Sequence, residues 1–237
     1  MTTDPAPARQ GLAGWAVALV AGLIGAAVGG GAVAYGSRES VRDYLLENPE
    51  ILPEAMDRLR SREAARAVSA NRSALETPFA GAWAGAADGD VVLVEFFDYA
   101  CGYCRKSNDD IERLLREDPR LKVVWREWPV LGPDSEAAAR ASLAAAQAGR
   151  FKPFYDALFA SGRPDSEAVA RARAAVGLTG DLPAAAADRE LQRNFQLARH
   201  LEATGTPTFI VGDQVLQGAV GYDSLKAAIK EARASKQ

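Results

Sequence analysis

Two cysteines separated by two residues carry the strongest chemical signal in this chain. Cys101 and Cys104 are the only cysteines among its 237 residues, which indicates that they act as a pair. The apolar run 91–97 before them predicts a buried strand, and apolar residues at helical spacing follow them. Cys101 is therefore expected at a strand-to-helix junction, where the partial positive charge of a helix N-terminus favours a thiolate. Such a thiolate can attack a disulfide, and Cys104, one turn later, can resolve the mixed intermediate.

Other uses of two cysteines must be weighed beside this redox chemistry. A zinc site needs about four ligands, and His200 is the only histidine that could join the pair. We therefore expect neither a zinc site nor a cofactor. A two-coordinate Cu(I) site remains an alternative function, because soft thiolates suit that ion. A purely structural disulfide is also open, although a bridge closing so short a loop constrains little of the unfolded chain.

Glu95 is the one charged residue in the predicted strand before the cysteines. Burial of a carboxylate is costly, so we expect its pKa to be raised and the group to remain partly protonated. Placed behind the pair, Glu95 can exchange a proton with Cys104 during the reaction. The alternative is that Glu95 lies at an exposed strand edge. Asp98 and Tyr99 are expected to line the approach to the sulfur of Cys101.

The stretch 204–211 contains Thr206 and Pro207 at the entrance of another apolar strand. If the Thr206–Pro207 bond is cis, the chain folds sharply and brings the backbone of Thr206 against Cys101. Proline at the entrance of an apolar strand indicates either a strand edge or a special turn, and a free edge here can pair with an extended substrate. An ordinary trans bond is the alternative.

The beginning of the chain indicates where this chemistry takes place. No charged residue occurs from Gly11 to Ser37, and the apolar part of this span is long enough to cross a bilayer. Residues 1–36 are therefore predicted to be a membrane anchor or a signal peptide, since residues 32–34 match a small-residue cleavage pattern. We favour the anchor. Either interpretation places the cysteines on the periplasmic side of the inner membrane, in an oxidising compartment.

Residues 37–74 are charged and helix-prone, with apolar residues on one face of the predicted helix after Pro49. This segment can fold back on its own domain, pair with copies of itself through residues 40–70, or serve as a stalk. A linker is predicted at about 71–90. The net charge of −3, from 28 basic and 31 acidic residues, offers no basic surface for nucleic acid.

Residues 75–237 are predicted to form the α/β catalytic domain. A second strand is expected at 121–128, and a mostly helical block without strand signals follows at about 134–195. We interpret this block as an inserted helical domain that caps the sheet. A hairpin turn is expected at residues 212–214, followed by a final amphipathic helix from Tyr222.

These motifs together resemble the DsbA-like branch of the thioredoxin superfamily, through Glu95-Phe96-Phe97, the Cys101–Cys104 pair, the inserted helices and Thr206-Pro207. Residues 41–52 further resemble the ScsC group, in which N-terminal helices mediate oligomerisation and members are linked to copper tolerance. The resemblance implies a thioredoxin fold with Cys101 as nucleophile, Cys104 as resolving thiol, Glu95 as buried acid and Pro207 as a cis-proline.

The resemblance also implies an activity and partners. The protein is expected to be a thiol–disulfide oxidoreductase, an isomerase or an oxidase, acting on cysteine-containing proteins together with a membrane redox partner. Gly102-Tyr103 stands between the cysteines where DsbA has Pro-His. Loss of that histidine removes one stabiliser of the Cys101 thiolate, so a less oxidising pair is expected.

Overall fold

The computed structural model describes residues 41–236, which divide into two units between Arg58 and Leu59. In the first unit, residues 41–47 are helical and a further helix begins at Ile51. The predicted anchor or signal at 1–36 lies outside the described residues. Within 41–236, no helix combines the length and the apolar character needed to cross a membrane.

The catalytic domain is built on a mixed sheet of five strands in the order β1-β3-β2-β4-β5. The strands are β1 (Trp83–Gly85), β2 (Val91–Phe97), β3 (Leu121–Glu127), β4 (Thr208–Val211) and β5 (Gln214–Gln217). The central pair β2–β3 is parallel, and the other neighbours are antiparallel. Because β2 has a partner on each side, its backbone is held firmly where it leads into the cysteine pair.

Besides the helical residues 41–47, the described part of the chain contains seven helices. They are α1 (Ile51–Glu76), α2 (Gly102–Glu117), α3 (Pro133–Gln147), α4 (Phe151–Ala160), α5 (Ser166–Ala175), α6 (Ala184–His200) and α7 (Tyr222–Ala234). Helices α3 to α6 all lie between β3 and β4 in the chain. The predicted thioredoxin fold with a helical insertion is thereby confirmed.

Both faces of the central strand β2 are buried, which explains its nearly continuous apolar sequence. Leu93 and Phe97 join the core formed with α2, α4 and α7, whereas Val94 and Phe96 join a second core with the ends of α1 and α6. Side chains alternate along a strand, so Glu95 points to the same face as Leu93 and Phe97. This is the face covered by the helix that begins at the cysteine pair.

Two of the interpretations drawn from the sequence are wrong. The predicted linker at 71–90 contains the last turns of α1 and the edge strand β1, whose three residues are too few to show an alternating pattern. Strand β4 is not a free edge either, since it pairs with β2 on one side and β5 on the other from Thr208 onwards. Only β1 and β5 are edges of the sheet.

Candidate active site

Cys101 occupies the N-cap of α2, directly after the turn that leaves β2. Its Sγ accepts a hydrogen bond from the backbone N–H of Cys104 at 3.3 Å, which is one of the N–H groups that a helix start leaves without a helical partner. The two sulfurs are not joined in a disulfide, and they differ in access. Both residues are buried, but Cys101 keeps 5% of its surface exposed whereas Cys104 keeps none, so Cys101 is the more accessible of the two.

The environments of the two thiols drive their pKa values in opposite directions. The hydrogen bonds that Cys101 receives from the side chain and backbone of Cys104, with a further one from the Thr206 side chain, outweigh its partial burial and lower its pKa from 9.0 to about 6. Burial raises the pKa of Cys104 strongly. At neutral pH the pair therefore consists of one thiolate and one thiol.

Asp98 and Tyr99 do not line the approach to the sulfur, contrary to the expectation from sequence. Both are buried. The Asp98 carboxylate accepts hydrogen bonds from the backbone N–H groups of Ala100, Val130 and Leu131 at 2.8–2.9 Å, and thereby ties the cysteine turn to the loop after β3. The Tyr99 hydroxyl lies 2.8 Å from Oγ of Ser142 on α3. Asp98 and Tyr99 therefore hold the turn between β2 and Cys101 from the interior of the domain.

The loop before β4 contacts the cysteine pair from the other side. The peptide bond between Thr206 and Pro207 is cis. Sγ of Cys101 lies 3.3 Å from the carbonyl oxygen of Thr206, to which it donates a hydrogen bond when it is protonated. The structure thus brings Thr206 against Cys101, although the two stand 105 residues apart in the chain.

Glu95 lies fully buried in β2, where β3 and β4 flank it, so the exposed-edge alternative is wrong. Burial raises the pKa of this carboxyl from 4.5 to about 8, as the sequence led us to expect. Among residues 41–236, Oε1 of Glu95 has no hydrogen-bond partner, and Oε2 lies 3.4 Å from the hydroxyl oxygen of Tyr155. The acid also interacts electrostatically with both sulfurs.

The raised pKa of Glu95 gives a testable dependence of stability on pH. The folded state holds this proton more tightly than the unfolded state, so the stabilisation is complete below the ordinary pKa of 4.5 and is lost as the pH rises through about 8. Over that interval the wild type should lose roughly 3–5 kcal/mol of unfolding free energy relative to Glu95→Gln. Urea unfolding of both reduced proteins at the two ends of the interval measures this difference. A difference that does not change with pH would contradict the buried position of Glu95.

Two residues near Glu95 were missed in the sequence. Tyr155 on α4 donates a hydrogen bond from its hydroxyl to Oδ1 of Asn108 at 2.6 Å. Asn108 follows Cys104 by four residues, so its place on the same side of α2 was a readable signal. Tyr155 gave no such signal, because it comes from the inserted helices and only the tertiary fold brings it to Glu95.

Comparison with known proteins agrees with this geometry. Residues 92–230 match the DSBA-like thioredoxin domain, which is more than half of the chain. The chain belongs to the DsbA-like thioredoxin family. Residues 38–66 of this DsbA-like protein also match the copper resistance protein ScsC N-terminal domain.

Solved structures place the DsbA-like chain near ScsC proteins. A Proteus mirabilis ScsC variant with a linker deletion is 30% identical, with a TM-score of 0.72, and the match covers 84% of this chain and 94% of that one. A periplasmic thioredoxin-like protein from Salmonella enterica serovar Typhimurium is 29% identical, with a TM-score of 0.64, covering 69% of this chain and 95% of that one.

The curated relatives of the DsbA-like chain are longer proteins. The Na(+)/H(+) antiporter NhaA 3 of Salinispora tropica is 30% identical over 160 residues, which are 64% of this chain. The chain spans about a quarter of the length of the curated relatives it matches.

The DsbA-like chain is a thiol–disulfide oxidoreductase, as predicted from its cysteine pair. The Cu(I) alternative is not favoured. A two-thiolate site requires both sulfurs to be deprotonated, and burial of Cys104 raises its pKa and opposes that state. Within residues 41–236, no group of three or more potential metal-ligating side chains comes together.

Proposed function

We propose that Cys101 is the attacking thiolate, Cys104 the resolving thiol and Glu95 the proton acceptor and donor for Cys104. The observation that carries this assignment is the asymmetry of the pair. The more accessible of the two residues, Cys101, has the lowered pKa, whereas the fully buried one, Cys104, has the raised one. An exchange reaction needs this division, because the attacking group must be a thiolate and the waiting group must not compete with it.

In the proposed reaction, the Cys101 thiolate attacks one sulfur of a substrate disulfide. The substrate S–S bond breaks, a mixed disulfide with Cys101 forms, and the other substrate sulfur leaves as a thiolate. Glu95 then takes the proton of Cys104, whose sulfur attacks Cys101 and releases the second substrate thiolate. The protein is left oxidised at Cys101–Cys104 and the substrate reduced by two electrons. An oxidase runs the same steps in reverse.

Thr206 and Pro207 are proposed to position the substrate beside Cys101. The Thr206 carbonyl lies 3.3 Å from the Cys101 sulfur, and β4 is fully paired only from Thr208 onwards. The backbone of Thr206 is therefore the part of this loop that remains for an extended substrate segment. Tyr103, with 69% of its surface exposed next to Cys101, offers an aromatic contact to the same substrate.

The pH dependence of alkylation tests the proposed roles. With iodoacetamide, the reduced full-length chain should react at Cys101 with a midpoint near pH 6, because the hydrogen bonds from Cys104 lower the pKa of that thiol. Cys104 should remain unmodified in the folded protein. Peptide mapping by mass spectrometry distinguishes the two sites. A midpoint near the ordinary value of 9.0, or preferential labelling of Cys104, would overturn the assignment.

We propose that the enzyme and its substrates are located in the periplasm. The similarity to a periplasmic thioredoxin-like protein and the uncharged segment 11–37 support this location, with residues 1–36 as anchor or signal. The substrates are proposed to be periplasmic proteins with cysteines, and a membrane protein is proposed to restore the redox state of the pair. The Gly102-Tyr103 dipeptide favours a less oxidising pair than in DsbA, which suits an isomerase.

We propose that the chain forms a homo-oligomer through residues 40–70. Val41 and Tyr44 are each 57% exposed, and Leu52 and Met56 on α1 are about half exposed. Large apolar side chains at helical spacing favour pairing with like segments. Light scattering on the full-length chain should give a multiple of its 25.1 kDa mass, and the double variant Leu52→Ser/Met56→Ser should return it towards the monomer. A monomeric wild type would refute this architecture.

A further inference from the structure

Glu95 has no contact with solvent in the fold, although its proposed role requires it to gain and lose protons. A buried carboxyl can serve repeated turnovers only if its proton reaches water by some route. Strands β3 and β4 pair with β2 on its two sides, so a proton from Glu95 has no route to water within the plane of the sheet. The remaining direction is towards the helices that cover this face.

Tyr155 lies in that direction and connects Glu95 to the surface of α2. Its hydroxyl oxygen is 3.4 Å from Oε2 of Glu95 and 2.6 Å from Oδ1 of Asn108. The short contact identifies Asn108 as the acceptor of the tyrosine proton, so the hydroxyl oxygen is free to accept from a protonated Glu95. Asn108 is partly exposed, whereas Tyr155 keeps only 1% of its surface accessible.

The aromatic core holds the Tyr155 ring in place for this connection. The ring packs against Phe97 and Trp125 at centroid distances of 5.2 Å and against Phe159 at 4.7 Å. These contacts leave the hydroxyl as the one polar group of the side chain, directed between a buried acid and a surface amide. Apolar packing alone does not require a hydroxyl there.

We propose that Tyr155 and Asn108 form the proton exit of Glu95, from the buried carboxyl through the tyrosine hydroxyl to water at Asn108. Both are positioning residues, because they act on the sulfurs only through Glu95. This inference rests on the proposed role of Glu95 in resolving the mixed disulfide.

The proton balance of this route is complete. When the Cys104 sulfur bonds to Cys101 and the substrate leaves as a thiolate, the Cys104 proton passes to the Glu95 carboxylate. Glu95 then gives a proton to the Tyr155 oxygen, while the tyrosine proton passes to a water molecule that replaces Asn108 as acceptor. One proton reaches solvent, and Tyr155 is restored. The amide of Asn108 carries no charge at any stage.

The groups around the route set its electrostatics. Besides the two thiols, the titratable groups that interact with Glu95 are Tyr99 and Tyr155. Lys152 also lies near Tyr155, where it forms ion pairs with Glu112 and Asp156. Lys152 is 5.9 Å from the centre of the Tyr155 ring. Burial raises the pKa of Tyr155 well above its ordinary value, so its hydroxyl stays neutral between proton transfers.

The test separates the two steps of exchange in one experiment. The reduced full-length chain reacts with excess 5,5′-dithiobis(2-nitrobenzoate), and stopped-flow absorbance follows the release of two thionitrobenzoate ions. The first release reports attack by Cys101, and the second reports resolution by Cys104. Tyr155→Phe should slow the second release about 10- to 100-fold near neutral pH and leave the first unchanged, as expected for loss of assisted proton transfer. Added imidazole, a small proton carrier, should restore part of the lost rate.

Tyr222→Phe is the control, since it removes a tyrosine hydroxyl that contacts Glu117 at the surface instead of Glu95. It should leave both releases at wild-type rates. Asn108→Ala, which lets water accept the proton of Tyr155 directly, should not slow the second release. If Tyr155→Phe released the second thionitrobenzoate at the wild-type rate, the proposed proton exit would be wrong, but the role of Cys101 would stand. Equal slowing of both releases would also overturn it. Loss of the first release in the wild type would overturn the proposed function itself.

Discussion

Cys101→Ser is expected to abolish disulfide exchange while preserving the fold. A pKa of about 6 makes roughly nine-tenths of Cys101 thiolate at pH 7, compared with about one-hundredth at the ordinary value of 9.0. A serine hydroxyl at the same position remains protonated and does not form a disulfide. Serine is a favourable N-cap residue, so α2 should keep its start. We expect the rate of substrate reduction to fall by about 10³-fold or more, as for the loss of a nucleophile.

The control for this variant is Lys106→Ser, on the exposed side of the same helix, which should retain wild-type exchange. Both variants should give the far-ultraviolet circular dichroism spectrum of the wild type. Reduction of a peptide disulfide, followed by chromatography, measures the rates. If Cys101→Ser retained even a tenth of wild-type exchange, the cysteine pair would not be the centre of the reaction.

Arg126→Met is expected to cause the largest loss of stability in the domain. Arg126 in β3 is 1% exposed, and its guanidinium donates to Glu190 at 3.2 Å and to Asn194 at 3.0 Å on α6. It also donates to the carbonyl oxygens of Ala74, Leu75 and Thr77, at the end of α1. These carbonyls have no partner within their helix, so Arg126 serves as their cap. Removal leaves several carbonyls unpaired and leaves the buried Glu190 carboxylate with only Arg193, 4.0 Å away, which costs about 3–5 kcal/mol of unfolding free energy.

Arg171→Met provides the comparison, because Arg171 forms an exposed ion pair with Glu167 four residues earlier. Exposed pairs contribute about 0–1 kcal/mol, so this variant should unfold almost like the wild type. Adding Glu190→Gln to Arg126→Met should recover part of the loss, since the poorly paired charge is removed with its partner. Chemical denaturation measures all four proteins. A loss below 1 kcal/mol in Arg126→Met would show that α1 is held by its apolar contacts alone.

Local patterns in the sequence predicted the central elements of the site. The apolar run before Cys101 and the helical spacing after Cys104 were sufficient to place the pair at a strand-to-helix junction. A carboxyl inside an apolar strand was sufficient to predict the raised pKa of Glu95. In both cases the deciding interactions lie within one strand, one helix start and the turn between them.

Interactions between distant segments escaped prediction. Asp98 and Tyr99 precede the cysteines in the chain, but their partners Val130, Leu131 and Ser142 come from β3's exit and α3. Strand β1 exists because β3 pairs with it, and its three residues carry no pattern of their own. Tyr155 reaches Glu95 only because the inserted helices pack against β2. A single sequence does not show which distant segments come into contact.

Trapping of a mixed disulfide tests the central claim most directly. In Cys104→Ala, Cys101 is the only cysteine of the chain, so an attack on a substrate disulfide cannot be resolved. After incubation of the reduced variant with a peptide disulfide near neutral pH, intact-mass spectrometry should show one peptide bonded to each chain, released again by dithiothreitol. A chain that keeps its unmodified mass under these conditions would contradict the account.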